Sequence, residues 1–241
     1  MTFGRTSRRF LYAALACATA LSAAAAHATT VTEGTGFLPS YTGPADAPDL
    51  DAISASATFN SQNVFLSATM AGAIGTTTEG IYIWGVDRGA GTELLANPTN
   101  LTDTNVPVGQ GIPFDAFIFL DNLGHGSVFL LTPGPNPTLS GPPTALAAGA
   151  VTIDGATISV AVPLSMLPSQ GASIAQYGYN IWPRFNDISS NHRVSDFLPD
   201  DRNFLASPTR EPTSWALMIA GFGLAGATMR RRRRAPTPAR C

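Results

Sequence analysis

Hydrophobic and polar positions alternate with a period of two in the first part of the chain after residue 50. Apolar side chains occupy every second position of 53–59 and again of 64–70, and polar Asn-Ser-Gln-Asn at 60–63 separates the two runs. A period of two is typical of a strand with one buried face, whereas a helix would show a period of 3.6. The pattern therefore predicts two strands joined by a tight turn.

Similar short runs continue to residue 182, at 81–86, 114–120, 127–131, 151–153, 157–162 and 177–182. Asp154-Gly155 lies between two of them, which is a strong signal for a two-residue hairpin turn. A helical period is absent from the sequence between the two ends, apart from one turn at 164–167. We therefore predict an all-β antiparallel β-sandwich, the passenger domain, over residues 29–206.

The N-terminal segment 1–28 has the pattern of a secretion signal. Basic residues come first, the run 10–26 is apolar and alanine-rich, and Ala26-His27-Ala28 supplies the small residues of a cleavage site. We predict cleavage after Ala28. Arg8-Arg9 also resembles a twin-arginine export signal, but a phenylalanine follows the pair directly, so ordinary secretion is preferred.

An uncharged segment at 215–229 is followed at once by five arginines, 230–234. Fifteen helical residues span about 22 Å, against about 30 Å of hydrocarbon, and arginine side chains lengthen the effective span by reaching to the interface. Positive charge beside an apolar segment favours the cytoplasmic face of a membrane. We predict a single transmembrane helix at 215–229 with a basic cytoplasmic tail at 230–241.

This span is one part of a recognisable series of motifs that begins just before it. Glu211-Pro212, Trp215, a glycine-rich apolar run and an arginine cluster follow one another, after a short stalk that begins at residue 207. This order resembles the PEP-CTERM sorting signal, although Arg210 stands where that family has proline. The resemblance implies recognition by exosortase, a membrane-embedded cysteine protease, and then release or transfer to the cell surface or extracellular matrix. The residues that carry the resemblance are Arg210, Glu211, Pro212, Trp215, Gly221, Gly223, Arg230, Arg231, Arg232, Arg233 and Arg234.

The charge of the chain is unevenly distributed. Residues 29–209 contain fifteen acidic residues and four arginines, a net charge of −11, although the whole chain is near −2. Phosphate backbones repel such a segment, so no nucleic-acid partner is expected. Both cysteines, Cys17 and Cys241, lie outside this segment, so it must fold without a disulfide.

Within the passenger, five sequence segments follow one another in an order that is similar to the order in β-sandwiches related to DOMON domains and family 9 carbohydrate-binding modules. It comprises Asp49-Leu-Asp51, the run 82–87, Phe114-Asp115-Ala116, the run 160–168 and Asp196 to Asp200. The resemblance implies a domain that binds sugars, haem or calcium, or that serves only as an interaction module.

Three carboxylates stand close together in the chain at Asp46, Asp49 and Asp51. Carboxylate oxygens are the ligands that Ca²⁺ prefers, so these residues are a candidate calcium site, and no other cofactor is expected. An acidic entrance to the first strand explains the same pattern.

Aromatic side chains suggest a sugar site. A pyranose could stack on Tyr82, Trp84, Tyr179 or Trp182, and Arg184 and Asp187 could then hydrogen-bond its hydroxyls. Alternation places the first two rings on one face of their strand. Packing in the core is the competing interpretation of these aromatic residues.

The sequence contains only a poor candidate for a catalytic site. His192, Ser195 and Asp196 have the residue types of a hydrolase triad, but they lie in one short loop, and no Gly-x-Ser-x-Gly motif is present. The sequence therefore favours a non-enzymatic exported surface protein whose passenger binds polysaccharide or another envelope component. The alternative is a secreted hydrolase of polysaccharide that uses an unrecognised pair of carboxylates.

The arginine block generates a prediction about topology. A reporter that is active only in the cytoplasm should be active when fused after Cys241 and inactive when fused after Thr209, because the arginines hold the C-terminus inside. Replacing residues 230–234 with neutral residues should make the orientation mixed. Activity of the Thr209 fusion with an inactive Cys241 fusion would contradict the predicted orientation.

Overall fold

The computed structural model describes residues 28–96, 106–134, 136–185 and 190–209. These residues form strands and one-turn 3₁₀ helices but no α-helix. The strands are β1 (Thr29–Thr32), β2 (Ala52–Phe59), β3 (Asn63–Met70), β4 (Gly80–Asp87), β5 (Ala116–Asp121), β6 (Gly126–Leu130), β7 (Thr144–Ala145), β8 (Val151–Asp154), β9 (Thr157–Pro163), β10 (Gly178–Phe185), β11 (Phe204–Leu205) and β12 (Ser207–Pro208). The 3₁₀ turns are Pro48–Leu50, Leu164–Met166, Ile174–Gln176 and Asn191–Arg193.

The strands form two antiparallel sheets. The first has the order β1-β2-β3-β9-β8, and the short β12 adds to β2 in parallel; the second has the order β11-β10-β4-β5-β6-β7. The all-β prediction is confirmed, and so are the β2–β3 turn and the hairpin of β8 and β9.

One hydrophobic core fills the space between the sheets. Leu66 of the first sheet and Trp84 and Ile118 of the second are almost completely buried in it. The alternation along β2 is offset at its start, because the pairing with β3 shifts register between Ala52 and Ser54. Ala52 and Ala55 therefore both point into the core, and Ile53, which the period-two pattern predicts to be inward, does not.

A second cluster lies on the other face of the second sheet. Ile83 and Trp182 project there, and the long connection between β4 and β5 covers them with Leu94, Val108 and Ile112. Both faces of β4 and β10 are thus buried, which explains why their sequences read as almost continuous apolar runs.

The two ends of the described segment meet at one edge of β2. Thr29 pairs with Ala57, Ser207 pairs with Thr58, and the hydroxyls of Thr29 and Ser207 lie 2.7 Å apart. The backbone N–H of Thr209 then donates to the carbonyl of Phe59 over 2.6 Å. The sheet therefore extends beyond residue 206, into what the sequence predicts to be the start of the stalk.

The predicted signal segment up to residue 27, the sorting motif and the span at 215–229 lie outside the described residues. Within the part of the chain that the structure describes, there is no helix with the length and apolar character needed to cross a membrane.

The packing of the core predicts different outcomes for two leucine substitutions made in a protein that comprises residues 29–209. Leu66→Ala should lower the free energy of unfolding by about 2–5 kcal/mol, because Leu66 is 1% exposed and its removal leaves a cavity. Leu123→Ala should change it by less than about 0.5 kcal/mol, because Leu123 is 76% exposed. Equal effects in urea denaturation would contradict the assignment of the core.

Candidate functional site

The aromatic residues predicted to bind sugar are core residues. Tyr82, Trp84 and Tyr179 are fully buried, and Trp182 is 3% exposed. The ring of Trp182 lies 4.9 Å from that of Phe114, between centroids. Rings covered in this way have no free face for a pyranose, so the prediction that they stack on sugar is corrected.

Arg184, predicted to hydrogen-bond a sugar, is also buried, and its Nη2 donates to the carbonyl of Ser190 over 2.8 Å. The side chain thereby holds the backbone at residue 190 against the end of β10. Asp187 lies outside the described residues.

The three acids of the predicted calcium site do not form one site. Asp46 is exposed, whereas Asp49 is fully buried and already saturated. Asp49 accepts hydrogen bonds from the Gly75 and Thr77 backbone N–H groups and from the Thr77 hydroxyl, at 3.2, 2.9 and 2.5 Å. Asp49 therefore fixes the loop before β4, and the prediction of a joint site is corrected.

A different set of acids comes together beside β2. Carboxylate oxygens of Glu33, Asp196 and Asp200 lie within 4.8 Å of one another. Glu33 directly follows β1, and its backbone N–H donates to the carbonyl of Ile53. Asp196 Oδ2 accepts from the Ala52 N–H over 2.9 Å, and its Oδ1 accepts from the Phe197 N–H over 2.8 Å. Backbone hydrogen bonds at the start of β2 thus fix the main chain at Glu33 and the carboxylate of Asp196.

Asp51, one of the three predicted acids, adjoins this acidic cluster. Its Oδ2 accepts from the Gly36 N–H over 3.0 Å, and its Oδ1 is buried without a hydrogen-bond partner. Gly36 lines the same open groove as Glu33 and Asp196, with a volume of about 350 Å³. We use the term acidic cluster for Glu33, Asp51, Asp196 and Asp200 from here on.

Burial and mutual repulsion perturb the carboxyls of the acidic cluster. Burial raises the pKa of Glu33 far above its ordinary value, and the charges of Asp196 and Asp200 raise it further. Burial also raises the pKa values of Asp196 and Asp51. Among the described residues, no arginine or histidine forms an ion pair with these acids. All three shifts favour the protonated, uncharged form of these carboxyls.

His192, Ser195 and Asp196, which have the residue types of a hydrolase triad, instead make hydrogen bonds to backbone groups. Ser195 Oγ is buried and lies 2.7 Å from the Leu50 carbonyl and 2.8 Å from the Pro183 carbonyl. His192 Nδ1 lies 2.9 Å from the Ser40 carbonyl. The hydroxyl and the imidazole are thus each engaged with backbone rather than with each other.

The acidic cluster was missed because its members are far apart in sequence. Glu33 stands alone in a glycine- and threonine-rich segment, and 163 positions separate it from Asp196. The available signal was that Asp51 directly precedes a predicted strand, and that Asp196 and Asp200 stand four apart in one loop.

Ala28 lies at the start of the described residues, whereas Ala26 and the sorting residues from Arg210 to Arg234 lie outside them. Compared with known proteins, the sequence matches no family model and no curated protein.

The raised pKa of Glu33 generates a prediction about pH. In buffer with a chelator, the folded passenger holds this proton more tightly than the unfolded chain does. The resulting stability is fully present below pH 4.5 and is lost as the pH rises through the folded pKa. Glu33→Gln should therefore raise the free energy of unfolding relative to wild type at pH 8 by about 1 kcal/mol, allowing for solvent screening, and by little at pH 4.

The matched control is Glu79→Gln, because Glu79 is exposed and lies outside the cluster. Urea unfolding at both pH values measures the differences. A Glu33→Gln effect that is the same at pH 4 and pH 8 would contradict this account of the electrostatics.

Proposed function

We propose that this chain is an exported surface or extracellular-matrix protein that a PEP-CTERM-type signal delivers and exosortase processes. Its passenger is a non-catalytic β-sandwich that binds polysaccharide or another envelope component. The observation that supports this proposal best is the pairing of both ends of the segment 29–209 with β2. A folded unit therefore fits between the predicted signal segment and the predicted sorting motif.

The N-terminal boundary suits the removal of a signal peptide. Thr29, the first residue after the predicted cleavage position, is already paired in β1. Cleavage after Ala28 would therefore remove nothing from the sheet. The new N-terminus would lie beside Ser207, which is hydrogen-bonded to Thr29.

The C-terminal boundary suits recognition by a membrane protease. Among the described residues, Thr209 makes the last backbone hydrogen bond of the sheet, and the predicted motif begins one residue later. Pro212 biases Glu211 toward an extended conformation, as a protease cleft requires, and Trp215 suits the lipid–water interface. The anchored intermediate would then have its arginine tail in the cytoplasm and its passenger outside.

With the aromatic site corrected, we assign contact with polysaccharide to the groove beside the acidic cluster. Its carboxylates accept hydrogen bonds, and sugar hydroxyls donate them. Phe37, partly buried at the same groove, adds apolar surface next to these acceptors.

The alternative function is hydrolysis of polysaccharide by a carboxylate pair, for which Glu33 and Asp196 are the best-placed residues. Glycosidases separate their two carboxyls by about 5–9.5 Å so that the scissile bond or a water fits between them. Here oxygens of the two carboxyls lie within 4.8 Å of each other, and both oxygens of Asp196 accept backbone hydrogen bonds, which favours the non-catalytic assignment. Turnover of a polysaccharide panel by residues 29–209, abolished by Glu33→Gln, would favour the hydrolase instead.

The sorting proposal generates a prediction about processing in the native cells. Glu211→Ala or Pro212→Ala should make the full-length exported form accumulate and remove the mature form from the surface fraction, because the protease no longer recognises the motif. Arg210→Pro is the matched variant: it restores the family pattern and should leave processing unchanged or faster. Immunoblots of membrane and surface fractions measure both forms. Normal processing of the Glu211 and Pro212 variants would contradict the proposal.

A further inference from the structure

We propose that two copies of this chain associate through the outer face of the first sheet, the side that points away from the core. The outer side of the second sheet is covered in part by the connection between β4 and β5. On the first sheet, the outward side chains of β2, β3 and β9 remain wholly or partly exposed. They include Ser56, Thr58, Phe65, Ser67, Thr69, Thr157, Ser159 and Ala161.

This outer face is uncharged within a strongly acidic segment. None of the outward side chains just named is ionisable, although residues 29–209 contain fifteen acids and four arginines, a net charge of −11. Salt screens charges that lie more than about 8 Å apart at physiological ionic strength, so repulsion between two copies depends on the charges nearest their contact. Two copies that meet at the outer face bring no like charges together there, whereas contact through an acidic surface would.

Hydroxyls of the outer face already have partners within the sheet. Ser159 Oγ donates to Ser67 Oγ over 2.8 Å, and the Oγ1 atoms of Thr69 and Thr157 lie 3.0 Å apart. Burying a polar group costs little free energy when its hydrogen bond is kept. Another protein surface can therefore cover these hydroxyls without having to supply partners for them.

Phe65 supplies an apolar contact at the centre of the outer face. It lies on β3 between Thr58 of β2 and Ala161 of β9, and 36% of it is exposed. A groove of about 370 Å³ lies beside it, with Gly149 and Thr152 among the residues that line it. In a contact with two-fold symmetry each copy offers both features, so Phe65 of each copy would enter the groove of the other. Aromatic residues and a lack of charge are typical of the buried centre of protein interfaces.

The outer face is separate from the groove beside the acidic cluster. None of the outward side chains named above lines that groove. Association of two copies would therefore leave the groove open. The inference is independent of the sorting proposal and of what the passenger binds.

Light scattering of the purified full-length chain in mild detergent, with the detergent contribution subtracted, tests the proposal. At about 100 µM, wild type should have twice the protein mass of one chain, because a Kd in the micromolar range makes most chains dimeric. Phe65→Glu should halve this mass, because it places a negative charge at the centre of the contact on each copy. Thr152→Glu should do the same by placing a charge in the groove.

The matched control is Leu123→Glu, which introduces the same charge at an apolar residue that is 76% exposed and lies outside the outer face. It should leave the dimer intact. Circular dichroism checks that each variant keeps its β-sheet signal, and Thr152 is exposed, so its substitution is not expected to unfold the chain.

Three results would overturn the proposal. The first is a monomeric wild type at this concentration, including a monomer that instead binds a neutral polysaccharide through the outer face. The second is a dimer that persists in Thr152→Glu or in a folded Phe65→Glu, which would place the contact elsewhere in the chain. The third is an equal loss of mass in Leu123→Glu.

Discussion

The edge of β2 that faces away from β3 is the constraint on which the rest of this structure depends. One side of the strand is paired with β3, and the other is shared by β1 and β12, the two ends of the folded segment. Because backbone hydrogen bonds along this edge are completed from both ends of the folded segment, the sandwich closes on itself without a disulfide. A chain with processing signals predicted at both ends needs such a fold, since neither removal would then expose the sheet edge.

The same edge brings carboxylates together. Glu33 follows β1 as it runs past the start of β2, Asp51 directly precedes β2, and Asp196 accepts from the N–H of Ala52. Pairing with β2 fixes the main chain at Glu33 and the carboxylate of Asp196. Burial and the neighbouring negative charges then favour the protonated forms of these acids.

The sequence predicts the strands well because burial of one face imposes a period of two that needs no tertiary information. It is wrong at Ile53, where a register shift turns the side chain out of the core, since such shifts depend on the partner strand. Alternation also places Tyr82 and Trp84 on one face without showing that the face is covered. Only the fold reveals that both faces of β4 are buried.

The candidate site was predictable only in part. Asp51 could be identified as an acid at the start of a strand, but its assigned partners, Asp46 and Asp49, are its neighbours in sequence rather than in space. The acids that interact with it electrostatically, Glu33 and Asp196, come from opposite ends of the passenger and meet through pairing with β2. A single sequence contains no local pattern for a contact of that range.

Amide hydrogen exchange of the segment 29–209, measured with and without residues 207–209, tests the central claim about this edge most directly. The account predicts that removal of β12 and Thr209 speeds exchange along β2 and lowers the free energy of unfolding, because their hydrogen bonds to that edge are lost. Unchanged exchange in β2 together with an unchanged free energy of unfolding would contradict it.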